Sequence, residues 1–238
     1  MIELRRLNKT YVLNGIRKTV ARDLSFVFPT GESVGLLGRN GAGKSSLLSM
    51  IAGTMSPDSG EVIATGSVSW PVGFAGSFHP DLTGAQNTKF VARIYGVDTD
   101  EMVEFVRDFA GLDQHFHLPV RTYSSGMRSR LAFGVSMAIH FDTYLIDEVT
   151  SVGDAAFRAK SEVILKERLT RSGAIIVSHS MGLLKSMCKS GVVLENGRMH
   201  FYPQITRAIE HHEHVMKGLM PPWPVSYTHL TLPTSDLV

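Results

Sequence analysis

Gly38-Arg39-Asn40-Gly41-Ala42-Gly43-Lys44-Ser45 is the segment best equipped for chemistry. It fits the pattern G-x-x-x-x-G-K-[ST]. Glycines let successive backbone N–H groups turn inward around phosphate oxygens with no Cβ in the way. A helix starting at Lys44 adds its N-terminal amides and positive dipole end. Lys44 is then the point charge for the outer phosphates of a nucleoside triphosphate. The Ser45 hydroxyl, with Ser46 beside it, is the ligand for Mg²⁺. About 100 residues downstream, Tyr144-Leu-Ile-Asp147-Glu148 is an apolar run ending in two carboxylates. Such a run reads as a buried parallel strand, and α/β sheets bind ligands at the C-terminal ends of their strands. Asp147 is expected to hold Mg²⁺ there, directly or through water. Glu148 is expected to be the general base that orients and deprotonates an attacking water.

These groups need a scaffold, and the hydrophobic pattern supplies one. Residues 2–7 and 24–28 alternate apolar and polar, as half-buried strands do. Residues 34–37 are a short apolar run that leads into the glycine loop and then a helical stretch over 44–52. A further strand is expected at 61–64, after a Pro-Asp-Ser-Gly turn. Asp98 and Glu101 stand like a capping box before Met102, Phe105, Val106 and Phe109, which share one helix face and end at Gly111. A second central helix is expected over 127–139. Strand patterns return at 144–146, 174–177 and 192–194. The expectation is a mainly parallel α/β core with a helical insertion at about 86–140.

Composition narrows the function classes. The 238 residues suffice for one large domain or two small ones, and the net charge of +2 is too balanced to argue for a nucleic-acid partner. Charged residues make up 19% and hydrophobic residues 43%, an ordinary globular mix rather than a disordered one. Cys188 stands alone, which excludes an internal disulfide scaffold. The N-terminus carries charges where a signal peptide needs an apolar stretch, and no run approaches a membrane span. Residues 219–238 lack periodicity and read as a non-native or disordered tail. His211, His212 and His214 read as a solvated terminal helix rather than a metal site.

Tyr123-Ser124-Ser125-Gly126-Met127 is, by itself, a turn with a serine capping a helix. In order with the phosphate loop, the acidic pair, Ser151-Val-Gly-Asp154 and Ser178-His179-Ser180, it resembles the signature motif of ATP-binding cassette (ABC) ATPases. The resemblance covers residues 1 to about 217. The strings Ser69-Trp-Pro-Val-Gly73, Leu82-Thr-Gly84, Val91-Ala-Arg-Ile-Tyr95 and Asp147-Glu-Val-Thr-Ser-Val-Gly-Asp154, with Asn87 among them, are similar to the capsular-polysaccharide exporter ATPases. O-antigen and teichoic-acid exporter ATPases are close behind.

The resemblance implies a P-loop core of ABC type, with an N-terminal antiparallel β region and a helical subdomain, filling residues 1–218. It implies that Tyr11 stacks on adenine. Ser124, Ser125 and Gly126 then contact the γ-phosphate of ATP held by a second copy, and Asp154 lies at the dimer seam. His179 bonds the γ-phosphate. His79, in Gly76-Ser-Phe-His79-Pro80, stands where the family usually has a catalytic glutamine, and its imidazole can donate or accept one hydrogen bond. One phosphate loop and one signature per chain imply a homodimer. The implied activity is ATP hydrolysis powering capsular-polysaccharide export through a membrane permease. Its setting is the cytoplasmic face of the inner membrane, with membrane contact only through that permease. The alternatives are an O-antigen or teichoic-acid exporter, or a soluble P-loop NTPase unrelated to transport.

Overall fold

The computed structural model describes residues 1–73, 76, 78–147 and 154–219. In chain order the strands and helices are β1 Ile2–Leu13, β2 Ile16–Phe28, β3 Ser33–Leu37, α1 Lys44–Ile51, β4 Ser59–Ala64, β5 Val68–Val72, α2 Gly84–Tyr95, α3 Thr99–Ala110, α4 Ser125–Ala138, β6 Thr143–Asp147, α5 Ala155–Leu169, β7 Gly173–Val177, α6 Met181–Met187, β8 Ser190–Glu195, β9 Arg198–Tyr202 and α7 Ile205–Met216. They group into two compact units: Met1–Ser67 together with the chain from Gly173 onward, and Val68–Ser172.

In the first unit an antiparallel sheet runs β2-β1-β4. Its first hairpin is far longer than the expected 2–7 and 24–28 segments. Asn14 and Gly15 both have positive φ, 50° and 77°, which is the two-residue turn whose twist matches flanking strands. The turn lets pairing continue through Tyr11, opposite Lys18, and on to Leu13, opposite Ile16. The Asn196-Gly197 turn does the same for β8 and β9, a strand pair the apolar pattern did not reveal. Beside this lies β3, parallel to both β7 and β8. Val34, Leu36 and Leu37 are at most 3% exposed, consistent with an apolar run shielded on both faces. Phe26 packs edge-on against Phe28, with ring centroids 4.8 Å apart, and lies 5.3 Å from Phe201 of β9, joining the two sheets' apolar faces.

In the second unit β5 and β6 form a parallel pair. The helices fall at 84–95, 99–110 and 125–138. Asp98 caps α3 by accepting from the Asp100 and Glu101 amides. The reciprocal box occurs instead at Thr83 and Gln86, at the start of α2. Met102, Val106 and Phe109 are buried as their spacing predicts, and Phe109 stacks on Phe133 of α4 with centroids 5.6 Å apart. Tyr144, Leu145 and Ile146 of β6 are at most 1% exposed, and the strand delivers Asp147 at its C-terminal end.

Candidate nucleotide site

The phosphate loop leaves β3 at Gly38. A Cβ on Gly38 would stand 2.5 Å from Leu194 O, and one on Gly43 would stand 2.6 Å from Val20 Cβ. Both glycines have positive φ, 153° and 107°. The loop can therefore take this path only without side chains there. Ala42 N–H donates to Arg39 O at 3.0 Å, closing the turn. Leu47 N–H donates to Gly43 O, starting α1. Arg39 and Asn40 are exposed at the loop's tip. Lys44 Nζ donates to Gly38 O at 2.8 Å and Arg39 O at 3.2 Å, so its ammonium is folded over the loop's own carbonyls. A cradle that side chains would fill, with an ammonium already over it, fits the outer phosphates of a nucleotide.

Three further groups of this unit bear on the loop. Tyr11 OH lies 3.0 Å from Ser46 Oγ and donates to Met55 Sδ at 3.1 Å, tying the aromatic ring to α1. Lys18 of β2, which sequence reasoning missed, brings its Nζ to 2.7 Å from where a Cβ on Gly41 would stand. Lys18 falls opposite Tyr11 only because the hairpin is long. His179 is exposed directly after β7. Because β7 and β3 are parallel neighbours, His179 leaves the sheet at the same edge as the phosphate loop.

The second unit carries the remaining predicted residues. Ser124, the N-cap of α4, accepts from Met127 N–H at 3.2 Å, so α4 begins at Ser125, two residues before the expected start. Ser124 and Ser125 are exposed at this helix N-terminus. A Cβ on Gly126 would meet nothing closer than Ser124 Oγ at 3.9 Å. Tyr123, buried beneath them, donates its OH to His115 O at 2.6 Å. Asp154 caps α5: its Oδ1 accepts from Phe157 N–H at 2.8 Å, and its Oδ2 from Arg130 Nη2 at 2.7 Å. The Phe157 amide, aided by the Arg130 guanidinium, holds the Asp154 carboxyl below its ordinary pKa. Arg130 also lies 5.1 Å from the Phe157 ring centroid. The signature helix and Asp154 are thus one connected piece, and Arg130, 24 residues from Asp154 in sequence, is the link that local reading missed.

His79 is exposed, and its Nδ1 accepts from Asp81 N–H at 3.3 Å. Asn87, only 2% exposed, fixes this loop: its Oδ1 accepts from His79 N–H, and its Nδ2 donates to the His79, Leu82 and Thr83 carbonyls. Glu148 and the rest of 148–153 lie outside the described residues, as does all of the expected tail beyond Leu219. The Ser45 hydroxyl, exposed in the first turn of α1, and the Asp147 carboxylate are hard oxygen donors. Each donor, within its own unit, is of the chemistry Mg²⁺ takes.

A family model described as "ABC transporter" matches residues 21–151, more than half of the chain. The chain belongs to the ABC transporter family. As an ABC ATP-binding domain it hydrolyses ATP to power transport. It is 47% identical over 216 residues to the polysialic acid transport ATP-binding protein KpsT of Escherichia coli, covering 90% of this chain and 96% of that protein. It is 43% identical over 212 residues to the capsule polysaccharide export ATP-binding protein CtrD of Neisseria meningitidis serogroup B, covering 89% and 98%. Its fold matches that of the ATP-binding cassette MJ0796, solved as a dimer in a post-hydrolysis state with ADP and Pi. The TM-score is 0.71 at 20% identity, covering 83% of this chain and 95% of that one. The antiparallel sheet, parallel core and helical segment are those of an ABC cassette.

Two features lie outside the site. Cys188 packs at the end of α6, and burial pushes its thiol pKa up to about 12, so it is inert. The terminal helix is not solvated at its three histidines: His212 and His214 are half-buried and His211 is buried. His211 is 1% exposed and its Nδ1 lies 2.8 Å from Tyr202 OH, because β9, unforeseen from the sequence, packs against this helix. Among the described residues no group of three His, Cys, Asp or Glu side chains could hold a metal ion.

Proposed function

We propose that this chain is the motor subunit of a capsular-polysaccharide exporter. It works as a homodimer that sandwiches two ATP molecules and drives a membrane permease from the cytoplasmic face of the inner membrane. The observation that carries this reading is the 47% identity to a polysialic acid transport ATP-binding protein along 96% of that protein's length. Among the described residues no helix is long and apolar enough to cross a membrane. In this reading the permease is a separate partner.

Residues 38–46 wrap the phosphates with backbone N–H groups, and Lys44 moves from its own loop carbonyls onto the β- and γ-phosphates. Tyr11 offers its ring face to adenine. Ser45 and Asp147 would hold Mg²⁺, which would supply neutralisation of the phosphate charge. Glu148 takes a proton from the attacking water. His179 donates to the γ-phosphate, and His79 offers one hydrogen bond to orient the attacking water. Ser124, Ser125 and Gly126 offer the α4 N-terminus to the γ-phosphate bound by the partner copy, and Asp154 approaches that seam. The test is complementation of an encapsulated strain lacking its export ATPase. Wild type restores surface polysaccharide and Lys44→Ala does not. Failure of a well-expressed wild type, with rescue instead of an O-antigen export mutant, would move the substrate assignment to O-antigen.

A further inference from the structure

α7 lies flat on the parallel strands that end in the phosphate loop. Ile205 N–H donates to Lys189 O at 2.9 Å, fixing the start of α7 at the start of β8. A Cβ on Gly35 would stand 2.6 Å from Ile205 Cδ1, and one on Gly191 would stand 2.5 Å from Ala208 Cβ. Gly35 and Gly191 are register partners, and so are Leu37 and Val193. A helix advances about 1.5 Å per residue and a strand about 3.3 Å. His212, four residues beyond Ala208, therefore stands level with Leu37 and Val193, where the chain enters Gly38. It shares the face of Ile205 and Ala208 that meets the sheet.

His212 is half-buried, its Nδ1 is closed off from solvent, and that atom has no hydrogen-bond partner. Burial lowers the pKa of this imidazole, and the charge of Lys44 lowers it further; Glu213 opposes them, and His179 and His211 add to the lowering. These are the titratable neighbours on α1, beyond β7 and on α7 itself. From β8 and β9, Glu195 and His200 reach the same helix at His211. The charged residue of α6, Lys185, is exposed.

We propose that His212 is a positioning residue for the outer phosphates, taking up a proton as ATP binds and placing a second positive charge behind Lys44 and His179. This rests on the reading of residues 38–46 as the ATP loop. With the loop empty, protonating His212 means adding a buried positive charge beside Lys44. With a triphosphate on Lys44, the added negative charge reverses that field, so the bound state favours the protonated imidazole. Binding then carries proton uptake and tightens as pH falls. The charge acts through Lys44 and His179, holding them against the phosphates.

The experiment is calorimetric titration of the full chain, carrying Glu148→Gln to hold ATP, with Mg²⁺-ATP at pH 7 in two buffers of different ionisation enthalpy. The expected result is an uptake larger by about half a proton per ATP with His212 than with His212→Gln. The affinity gained between pH 8 and pH 6 should also be several-fold larger with His212 present. Histidine-labelled NMR of the chain with native His212 covers a variant that fails to fold: its titration midpoint should rise by about one unit with a non-hydrolysable ATP analogue. Equal proton counts in both proteins, or an unmoved His212 midpoint, overturns the proposal. No ATP binding by either protein overturns the phosphate-loop reading itself, and this inference with it.

Discussion

At Gly43 of the first unit a Cβ would stand 2.6 Å from Val20 Cβ, and φ is 107°. At Gly126 of the second unit the nearest atom would be Ser124 Oγ at 3.9 Å, and the residue is ordinary helix. Gly43 is needed by its own fold. Gly126 is not: its own fold leaves room for a side chain there. The same contrast runs through the charges. Lys44 is seated on its own loop carbonyls, able to meet a phosphate without help. The α4 N-terminus instead exposes Ser124 and Ser125. On the function proposed here, the first unit holds a nucleotide and the second closes on one that a second copy holds.

The strongest break in this contrast is Lys44→Ala. It removes the ammonium and is expected to weaken ATP binding by roughly 10²-fold or more and to abolish turnover. Nucleotide titration and phosphate release measure both. Next is Glu148→Gln, which should keep binding but slow hydrolysis by roughly 10²–10⁴. It should also trap an ATP-bound dimer, visible by gel filtration with ATP and Mg²⁺.

Paired glycine substitutions sharpen the comparison. Gly43→Ala should lower Tm, since an L-residue at that φ costs about 1–2 kcal/mol before any clash. Gly126→Ala should leave Tm unchanged or raise it, as alanine favours helix, yet cut turnover by about ten-fold or more. Loss of stability in Gly126→Ala, with turnover intact, would erase the distinction. The smallest effect belongs to Lys18→Ala, expected to weaken ATP binding only a few-fold because Lys18 lends charge at the loop's outer side. Its salt dependence of binding should fall in parallel.

The phosphate loop was readable because its chemistry is contiguous: eight residues carry the amides, the ammonium and the hydroxyl. Asp147 was readable because an apolar run announces its own end. Arg130 was not, since its role exists only in the fold, where α4 and the α5 cap meet. His211 and His212 were misjudged for a similar reason. Their burial depends on β9 and β3, and no local period in α7 reports a partner strand. The long first hairpin could have been foreseen. Asn14-Gly15 and Asn196-Gly197 are both turn signals of the strongest kind, masked by polar strands whose outer faces break the apolar alternation.

The central claim is that the two units complete each other only across two copies, and mixing two inactive proteins tests it. Lys44→Ala lacks a loop that binds, and Ser125→Arg carries a bulky signature that blocks the partner's site while its own loop stays intact. In their heterodimer both defects fall on one site, and the other has an intact loop facing an intact signature. ATP hydrolysis should reappear on mixing, at a substantial fraction of the activity of wild type mixed with Ser125→Arg. A mixture that stays inactive, while heterodimers demonstrably form and the wild-type mixture hydrolyses ATP, would contradict the account.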